Sequence, residues 1–185
     1  MPQENDHLSF NVEEPLDIVL YPDPVLKRKS VPLENLNGDV ERFSKAMLEA
    51  MYRHKGIGLA APQVGKNLRM LVFDLGAPEG NPRPYCFVNP EIVEREGSAV
   101  DEEGCLSLPG IRANVKRSER ILLRAWTLDE REIEWEAHGL LARMLQHEID
   151  HLDGFVFIDR LNKALRMITK KRYLSRLKER GRSES

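Results

Sequence analysis

The sequence predicts an α+β protein in which antiparallel or mixed β-sheets surround a central helix. Apolar residues recur every three or four positions over 39–54 and 139–151, which is the period of an amphipathic helix. Short apolar and β-branched runs lie between these segments without the strand–helix alternation of a parallel sheet. A basic C-terminal segment is predicted to form a third helix.

The predicted elements follow in chain order. A first helix spans 39–54 with Asp39 as its N-cap, and GIGLAAPQVG (56–65) is a loop because it holds three glycines and a proline. Six strands come next, at 68–74, 84–88, 91–97, 111–117, 119–128 and 131–137, with a hairpin turn at 128–131. The second helix covers 139–151 and is closed by Gly154. Residues 155–159 form a short strand, and the third helix runs from about Lys163 to Arg180.

The length and composition are those of an ordinary globular protein. With 185 residues, of which 41% are hydrophobic and 31% charged, the chain is sufficient for one domain with its own core. The first residues lack a basic flank followed by an apolar run, and no stretch approaches 18 continuous apolar residues. We therefore expect a cytoplasmic protein without a membrane partner.

Charge is unevenly distributed along the chain. Residues 160–185 hold ten Lys or Arg and two Glu, which gives +8, whereas the whole chain carries −2 and the preceding part therefore −10. One interpretation is a solvated helix face. The other is a surface that docks on an anionic partner such as RNA, because clustered cations bind phosphates without sequence preference.

The segment QHEIDHLDG (146–154) places His147 and His151 four positions apart, with Glu148 directly after the first. Residues four apart on a helix lie one above the other, so both imidazoles can meet one divalent metal ion. Glu148 stands beside that point and can take a proton from an activated water, which is the chemistry of the HExxH motif. The alternative interpretation is a pair of core histidines satisfied by hydrogen bonds.

A catalytic metal site of this kind needs a third protein ligand. No histidine follows His151, so the imidazole candidates are His7, His54 and His138. Cys105 is the better candidate, because a thiolate binds zinc or ferrous iron strongly and this residue lies in the turn EGCLSLPG.

Three segments together resemble the signature sequences of the peptide deformylase family. They are GIGLAAPQ (56–63), EGCLSLP (103–109) and QHEIDHLDG (146–154), in the same order and with similar spacing, and the resemblance extends from about Ile18 to the last helix. It implies an enzyme that hydrolyses the N-formyl group of formylmethionine at the start of newly made polypeptides and releases formate. The bond cut is a linear amide other than a peptide bond.

The resemblance also implies roles for residues of each segment. The implied metal ligands are Cys105, His147 and His151. Glu148 is implied as the proton shuttle, and Gln63 and the backbone N–H of Leu106 as hydrogen-bond donors to the formyl oxygen. The implied native metal is Fe²⁺, and the same ligands accept Zn²⁺, Ni²⁺ or Co²⁺ in purified protein.

Six further residues are expected at the substrate: Gly56, Ile57, Gly58, Gly104, Leu140 and Arg143. Gly56 and Gly58 would let the substrate backbone approach closely in extended form, although a plain tight turn would also use them. Ile57 and Leu140 are expected as apolar walls of a methionine pocket. The stem of Arg143 would line this pocket while its guanidinium reaches solvent, or the side chain forms a surface ion pair.

We therefore interpret residues 1–12 as a flexible tail, 13–160 as a catalytic metal-dependent hydrolase domain, and 161–185 as a basic helix and tail of the same domain. The expected partners are formylmethionyl nascent chains and, through the basic helix, the ribosome, without sequence-specific nucleic-acid recognition. Two alternatives are an HExxH endopeptidase, which leaves Cys105 and GIGLAAPQ unexplained, and a non-catalytic RNA-binding protein. The second rests on the basic tail, which has few aromatic residues beyond Tyr173 for base stacking.

Overall fold

The computed structural model describes the backbone of residues 15–183 and the side chains of residues 15–179. The predicted tail, residues 1–12, lies outside this part of the chain. The described elements are three α-helices, α1 (Gly38–Arg53), α2 (Gly139–Leu152) and α3 (Lys163–Ser183), and seven strands, β1 (Gly58–Ala60), β2 (Met70–Phe73), β3 (Tyr85–Glu96), β4 (Ala99–Gly104), β5 (Arg112–Arg117), β6 (Arg120–Trp126) and β7 (Glu132–His138). Each of these helices is too short or too polar to cross a bilayer.

The strands form two antiparallel sheets, in agreement with the predicted α+β class. Five strands pair in the order β1-β2-β3-β6-β7, and β4 pairs with β5 in a separate two-stranded sheet. The hairpin predicted at 128–131 joins β6 to β7, with Glu130 at a positive φ of 58°. Strand β1 is therefore one edge of the larger sheet.

Alternating side chains of β2 place a helix on each face of the larger sheet. Met70 and Val72 pack in one hydrophobic cluster with α1, whereas Leu71 and Phe73 pack in a second cluster with α2. This division follows from the two-residue period of a strand. Eleven of the fourteen α2 residues are buried, so the polar residues of this helix need partners inside the protein.

Helix α3 packs against a third cluster, which includes the end of the EGCLSLPG segment. Tyr173 is 1% exposed and contacts Tyr21 edge-on at a centroid distance of 6.0 Å. Leu174 and Leu177 pack partly buried in the same cluster, which also contains Leu108. The basic C-terminal helix is thus anchored through one side to the region beside Cys105.

Several predicted boundaries are wrong for local reasons. The first helix begins one residue earlier, because the side chain of Asn37, not of Asp39, accepts the first free N–H groups at 3.0 and 3.3 Å. Residues 155–159 form no strand. Phe157–Arg160 is a 3₁₀ helix, capped by the Asp159 carboxylate, which accepts from the N–H of Val156 at 3.0 Å.

The glycine-rich segment and the middle strands also differ from the prediction. Residues 56–65 are not a continuous loop, since they contain β1 and a 3₁₀ helix at Ala61–Val64. The strands expected at 84–88 and 91–97 are one strand, β3, with a register shift after Val88 that accommodates Pro90. Strand β4 has the charged sequence AVDEEG and was not predicted, and α3 extends to Ser183 instead of Arg180.

Candidate active site and metal centre

Three side chains of types that can ligate a metal, from two distant segments of the chain, meet beside α2. His147 and His151 are one turn apart, with ring centroids separated by 5.0 Å. Cys105 follows the end of β4, and its Sγ lies 3.2 Å from His151 Nε2. The candidate ligand atoms of all three residues lie within 4.8 Å of one another. One thiolate and two imidazoles form a donor set suited to Zn²⁺ or Fe²⁺.

Two buried polar atoms beside these three residues lack a hydrogen-bond partner in the described part of the chain. They are His151 Nδ1 and Glu148 Oε2. Burial lowers the pKa of His151 well below its ordinary value, with His147 and Arg117 adding to the effect, so this imidazole is held in its neutral, metal-ligating form. The missing partner at Nδ1 counts against the interpretation as two hydrogen-bonded core histidines.

The His147 ring is oriented by a buried carboxylate. Its Nδ1 lies 3.0 Å from Glu103 Oε2, which leaves Nε2 free to face the other ligands. Burial would raise the pKa of Glu103, but its hydrogen bonds with His147 and Arg117 lower the pKa to about 2. Burial likewise opposes a charge on His147, yet its hydrogen bonds to Cys105 and Glu103 raise the His147 pKa above its ordinary value. Glu103 is therefore a fixed anion behind the ligand set.

Glu103 belongs to a buried network of charged side chains. Arg117 donates to both of its oxygens, at 2.9 and 3.0 Å, and to Asp150 Oδ2 at 2.5 Å. Asp150 also binds Arg160, with Nε at 2.9 Å. The side chains of Arg117 and Glu103 are each 5% exposed. Each charged group has lost most of its hydration, and the opposite charge of its partner compensates for that loss.

Arg143 corrects an expectation from the sequence. Its guanidinium does not reach solvent and forms no surface pair, since it donates to Glu103 Oε1 at 2.8 Å and to the carbonyls of Val115 and Ala99 at 2.9 and 3.0 Å. The cause is its position on the buried side of α2, facing the two-stranded sheet. Arg143 still contributes to the wall of the cavity described below.

Gln63 is held in one orientation by the turn that contains it. Its Oε1 accepts the backbone N–H of Ala60 at 2.9 Å, which fixes the side-chain amide. The NH₂ group then points to Ser107 Oγ at 3.3 Å and Cys105 Sγ at 3.5 Å. A neutral hydrogen-bond donor consequently lies beside the candidate ligand sulfur.

Glu148 is packed against a glycine of β1. A Cβ atom at Gly58 would lie 2.7 Å from Glu148 Oε1 and 2.9 Å from Met144 Sδ, so the close approach of the carboxylate requires glycine. Burial is the main cause that raises the pKa of Glu148 to about 7; His147 opposes this shift and the nearby Glu103 carboxylate adds to it.

A cavity of about 940 Å³ opens onto this cluster. Its wall contains every residue expected to contact substrate or to act on it, namely Gly56, Ile57, Gly58, Gln63, Gly104, Leu106, Leu140, Arg143 and Glu148, together with the ligand candidates Cys105 and His147. His151 is fully buried and lies behind the wall. His54 also lines the cavity but is not part of the ligand cluster.

Four residues of the site were not found from the sequence. Glu103 belongs to the EGCLSLP segment and directly precedes Gly104. This position in the motif could have indicated a role in the site. Arg117, Asp150 and Ser107 act through side chains that meet only in the folded chain.

Comparison with known proteins identifies a family. A family model described as polypeptide deformylase matches residues 15–167. The peptide deformylase of Thermodesulfovibrio yellowstonii is 47% identical over 158 residues, covering 85% of this chain and 96% of the relative, and that of Alkalilimnicola ehrlichii is 48% identical over 167 residues, covering 90% and 93%.

Solved structures give the same result. The peptide deformylase from Thermus thermophilus superposes with a TM-score of 0.81 at 42% identity and covers 88% of this chain and 97% of that chain. The enzyme from Legionella pneumophila also gives 0.81, at 37% identity, with coverage of 89% and 97%. The family model, over residues 15–167, includes both sheets and the segments that carry the cysteine and histidine cluster, and the two solved structures are covered over 97% of their length. This chain belongs to the peptide deformylase family.

Proposed function

We propose that this protein is a metal-dependent amide hydrolase that removes the N-formyl group from formylmethionine at the start of newly made polypeptides and releases formate. The observation that carries the proposal is the meeting of Cys105, His147 and His151 directly beside one cavity, whose wall contains Cys105, His147, Glu148 and Gln63. Family membership supports the same reaction.

Cys105, His147 and His151 would hold one divalent ion. When bound, the ion supplies a Lewis acid that makes water a stronger nucleophile near neutral pH. Fe²⁺ is our proposal for the native metal, and Zn²⁺, Ni²⁺ or Co²⁺ suit the same donors in purified protein. The protein holds the His147 ring in one orientation, because Glu103 Oε2 lies 3.0 Å from His147 Nδ1.

Glu148 is proposed to move the proton. Hydrolysis forms a bond between the water oxygen and the formyl carbon and breaks the bond from that carbon to the methionine nitrogen. The Glu148 carboxylate accepts the proton that the water loses and delivers it to the departing nitrogen. Its Oε2 has no partner among the described residues and is free for this exchange.

Gln63 and the backbone N–H of Leu106 are proposed to stabilise the oxygen that becomes negative. The Gln63 amide is oriented before substrate arrives, because Ala60 holds its Oε1. A donor of this type is worth about 3 kcal/mol when it is aimed at the developing charge. We therefore expect the fixed orientation of the Gln63 amide to increase the rate of hydrolysis.

The substrate main chain is proposed to lie along the edge of the larger sheet. Strand β1 is an edge strand and contains Gly58, and Gly56 precedes it in the cavity wall. A peptide can add to such an edge through backbone hydrogen bonds, which tolerate any sequence after methionine. Gly104 allows the same close approach from the opposite segment, while Ile57 and Leu140 supply apolar walls for the methionine side chain.

We further propose that residues 13–160 are the catalytic domain, that 161–185 belong to it, and that α3 docks on the ribosome in the cytoplasm. Lys171 and Lys178 are exposed and support this partner. Reversal of both charges should weaken salt-sensitive ribosome binding without altering formate release from a short peptide. Unchanged ribosome binding would exclude this role for α3.

An anaerobic assay of formate release from formyl-Met-Ala, with metal analysis of the same sample, tests the function. We expect release that depends on bound metal and no cleavage of a longer acetyl-blocked peptide. An HExxH endopeptidase would cut the second peptide internally. Internal cleavage without formate release would therefore overturn the proposal.

A further inference from the structure

The open end of the cavity carries basic side chains that the reaction does not use. Lys55, Arg172 and Arg176 line the same cavity as Glu148, but Lys55 and Arg172 are exposed and Arg176 is half-buried, whereas Glu148 is buried. We call these three residues the basic rim.

The acidic side chains of the cavity do not neutralise the basic rim. Glu102 is bound by Arg112 at 3.0 Å, and Glu103 is held in the buried network. Glu148 is buried beside the metal ligands. Among the residues whose side chains are described, Lys55 and Arg172 have no ion-pair partner, so the rim presents net positive charge to the cavity opening.

Helix α3 fixes the position of two rim residues. Tyr173 is fully buried between them in sequence, and its cluster includes Ile111, which also lines the cavity. Arg172 and Arg176 are four positions apart and therefore lie on one side of the helix. Arg176 donates to the Gly110 carbonyl, which attaches this side of α3 to the turn that follows Cys105.

We propose that the basic rim, and Arg172 in particular, selects nascent chains that carry Asp or Glu among the first residues after formylmethionine. This inference rests on the proposed function. A cavity of about 940 Å³ is at the large end of ligand pockets, and an extended chain advances about 3.3 Å per residue, so several residues fit between the reacting amide and the rim. A guanidinium pairs with a carboxylate through two hydrogen bonds, which favours acidic side chains over their amides.

The basic rim does not contact the reacting atoms of the substrate, so we expect it to change substrate binding and not the chemical step. Interactions that are equal in the bound substrate and in the transition state lower KM and leave kcat unchanged. An exposed pair of this kind corresponds to about a two- to fivefold preference. Because the rim is solvated, added salt should reduce that preference.

The test uses formyl-Met-Ala-Xaa-Ser-amide peptides in which Xaa is Asp, Asn or Lys, and a second set in which the variable residue is one place further. The C-terminal amide removes a competing carboxylate. Metal-loaded wild type is compared with Arg172→Glu and with Lys171→Glu, a neighbour that is exposed and does not line the cavity. Both variants change the net charge equally, and thermal melts verify that both fold.

We expect wild type to favour Asp over Asn by about two- to fivefold in kcat/KM, through KM, and to disfavour Lys. Arg172→Glu should reverse the order, and Lys171→Glu should retain the wild-type order. Equal rates for all three peptides in wild type, or the same shift in both variants, would overturn the inference while leaving deformylation intact. Absence of formate release from every peptide would overturn the proposed function, and this inference with it.

Discussion

Replacing Arg117 by Met should destabilise the protein more than any surface ion pair can. Arg117 donates one hydrogen bond to each oxygen of Glu103 and a third to Asp150, and all three side chains are 5–7% exposed. The substitution leaves two buried carboxylates with fewer partners. Removing one member of a buried pair costs about 3–5 kcal/mol, which for a domain of this size corresponds to a fall in Tm of about 6–20 °C.

Urea unfolding of the metal-free protein measures this free energy. The matched control is Arg124→Met on β6, where Arg124 and its partner Glu134 are 45% and 54% exposed and are paired at 3.0 Å. We expect a loss of less than about 1 kcal/mol there.

The same substitution should weaken metal binding. Glu103 orients the His147 ring, and the partners of metal-ligating histidines typically contribute about 10- to 100-fold to metal affinity. Competition with a chelator measures this quantity separately from stability. A free-energy loss equal to that of Arg124→Met, with unchanged metal affinity, would refute the argument that the network supports the ligands.

Other predictions concern single positions. Glu148→Gln should keep the metal and lower turnover by about 10²–10⁴, whereas Cys105→Ala should lose the metal; near-normal turnover of the first variant would refute the assigned base. Gly58→Ala places a Cβ 2.7 Å from Glu148 Oε1 and should lower turnover by about 10² at unchanged metal content, while Gly38→Ala, with nothing within 4 Å, should have no effect. Burial would raise the pKa of Asp74, but three backbone N–H groups and a tyrosine hydroxyl hold it below its ordinary value. Its contribution to stability is therefore complete above about pH 4 and is lost as the pH falls further, so Asp74→Asn should flatten the acid limb of a pH titration followed by circular dichroism.

The helices and the three motif segments could be predicted from the sequence, because each depends on residues that are close together in the chain. His147 and His151 are placed by the period of one helix, and the turn after β4 brings a single cysteine. Most strands with apolar runs were predicted, but their order and their division into two sheets were not, and β1 was predicted as part of a loop. Strand β4 was missed because its charged sequence has no apolar run, although its pairing with β5 holds Glu103 in the interior.

The buried network of charged side chains could not be predicted, because the pairing register of β4 and β5 determines which of these side chains meet. Arg117 lies at the end of β5 opposite Ala99, and this pairing determines that its guanidinium meets a glutamate 14 residues earlier and an aspartate 33 residues later. A slip of one residue in the two-stranded sheet would direct the side chain to the opposite face. The sequence of a strand rich in charged residues thus gave no sign that these residues pack against His147 of the candidate metal site.

Helix α3 carries three features that a truncation would remove together. Tyr173 is part of the core, and removal of a buried aromatic side chain costs about 3–5 kcal/mol. Arg172 lines the cavity, while Lys171, its neighbour in sequence, lies outside it. A chain that ended before Arg172 would lose core packing, the cavity rim and the outward charge together, so reduced activity would identify none of them. Single charge reversals keep Tyr173 in place and separate the rim from the outer face, because adjacent helical residues point about 100° apart.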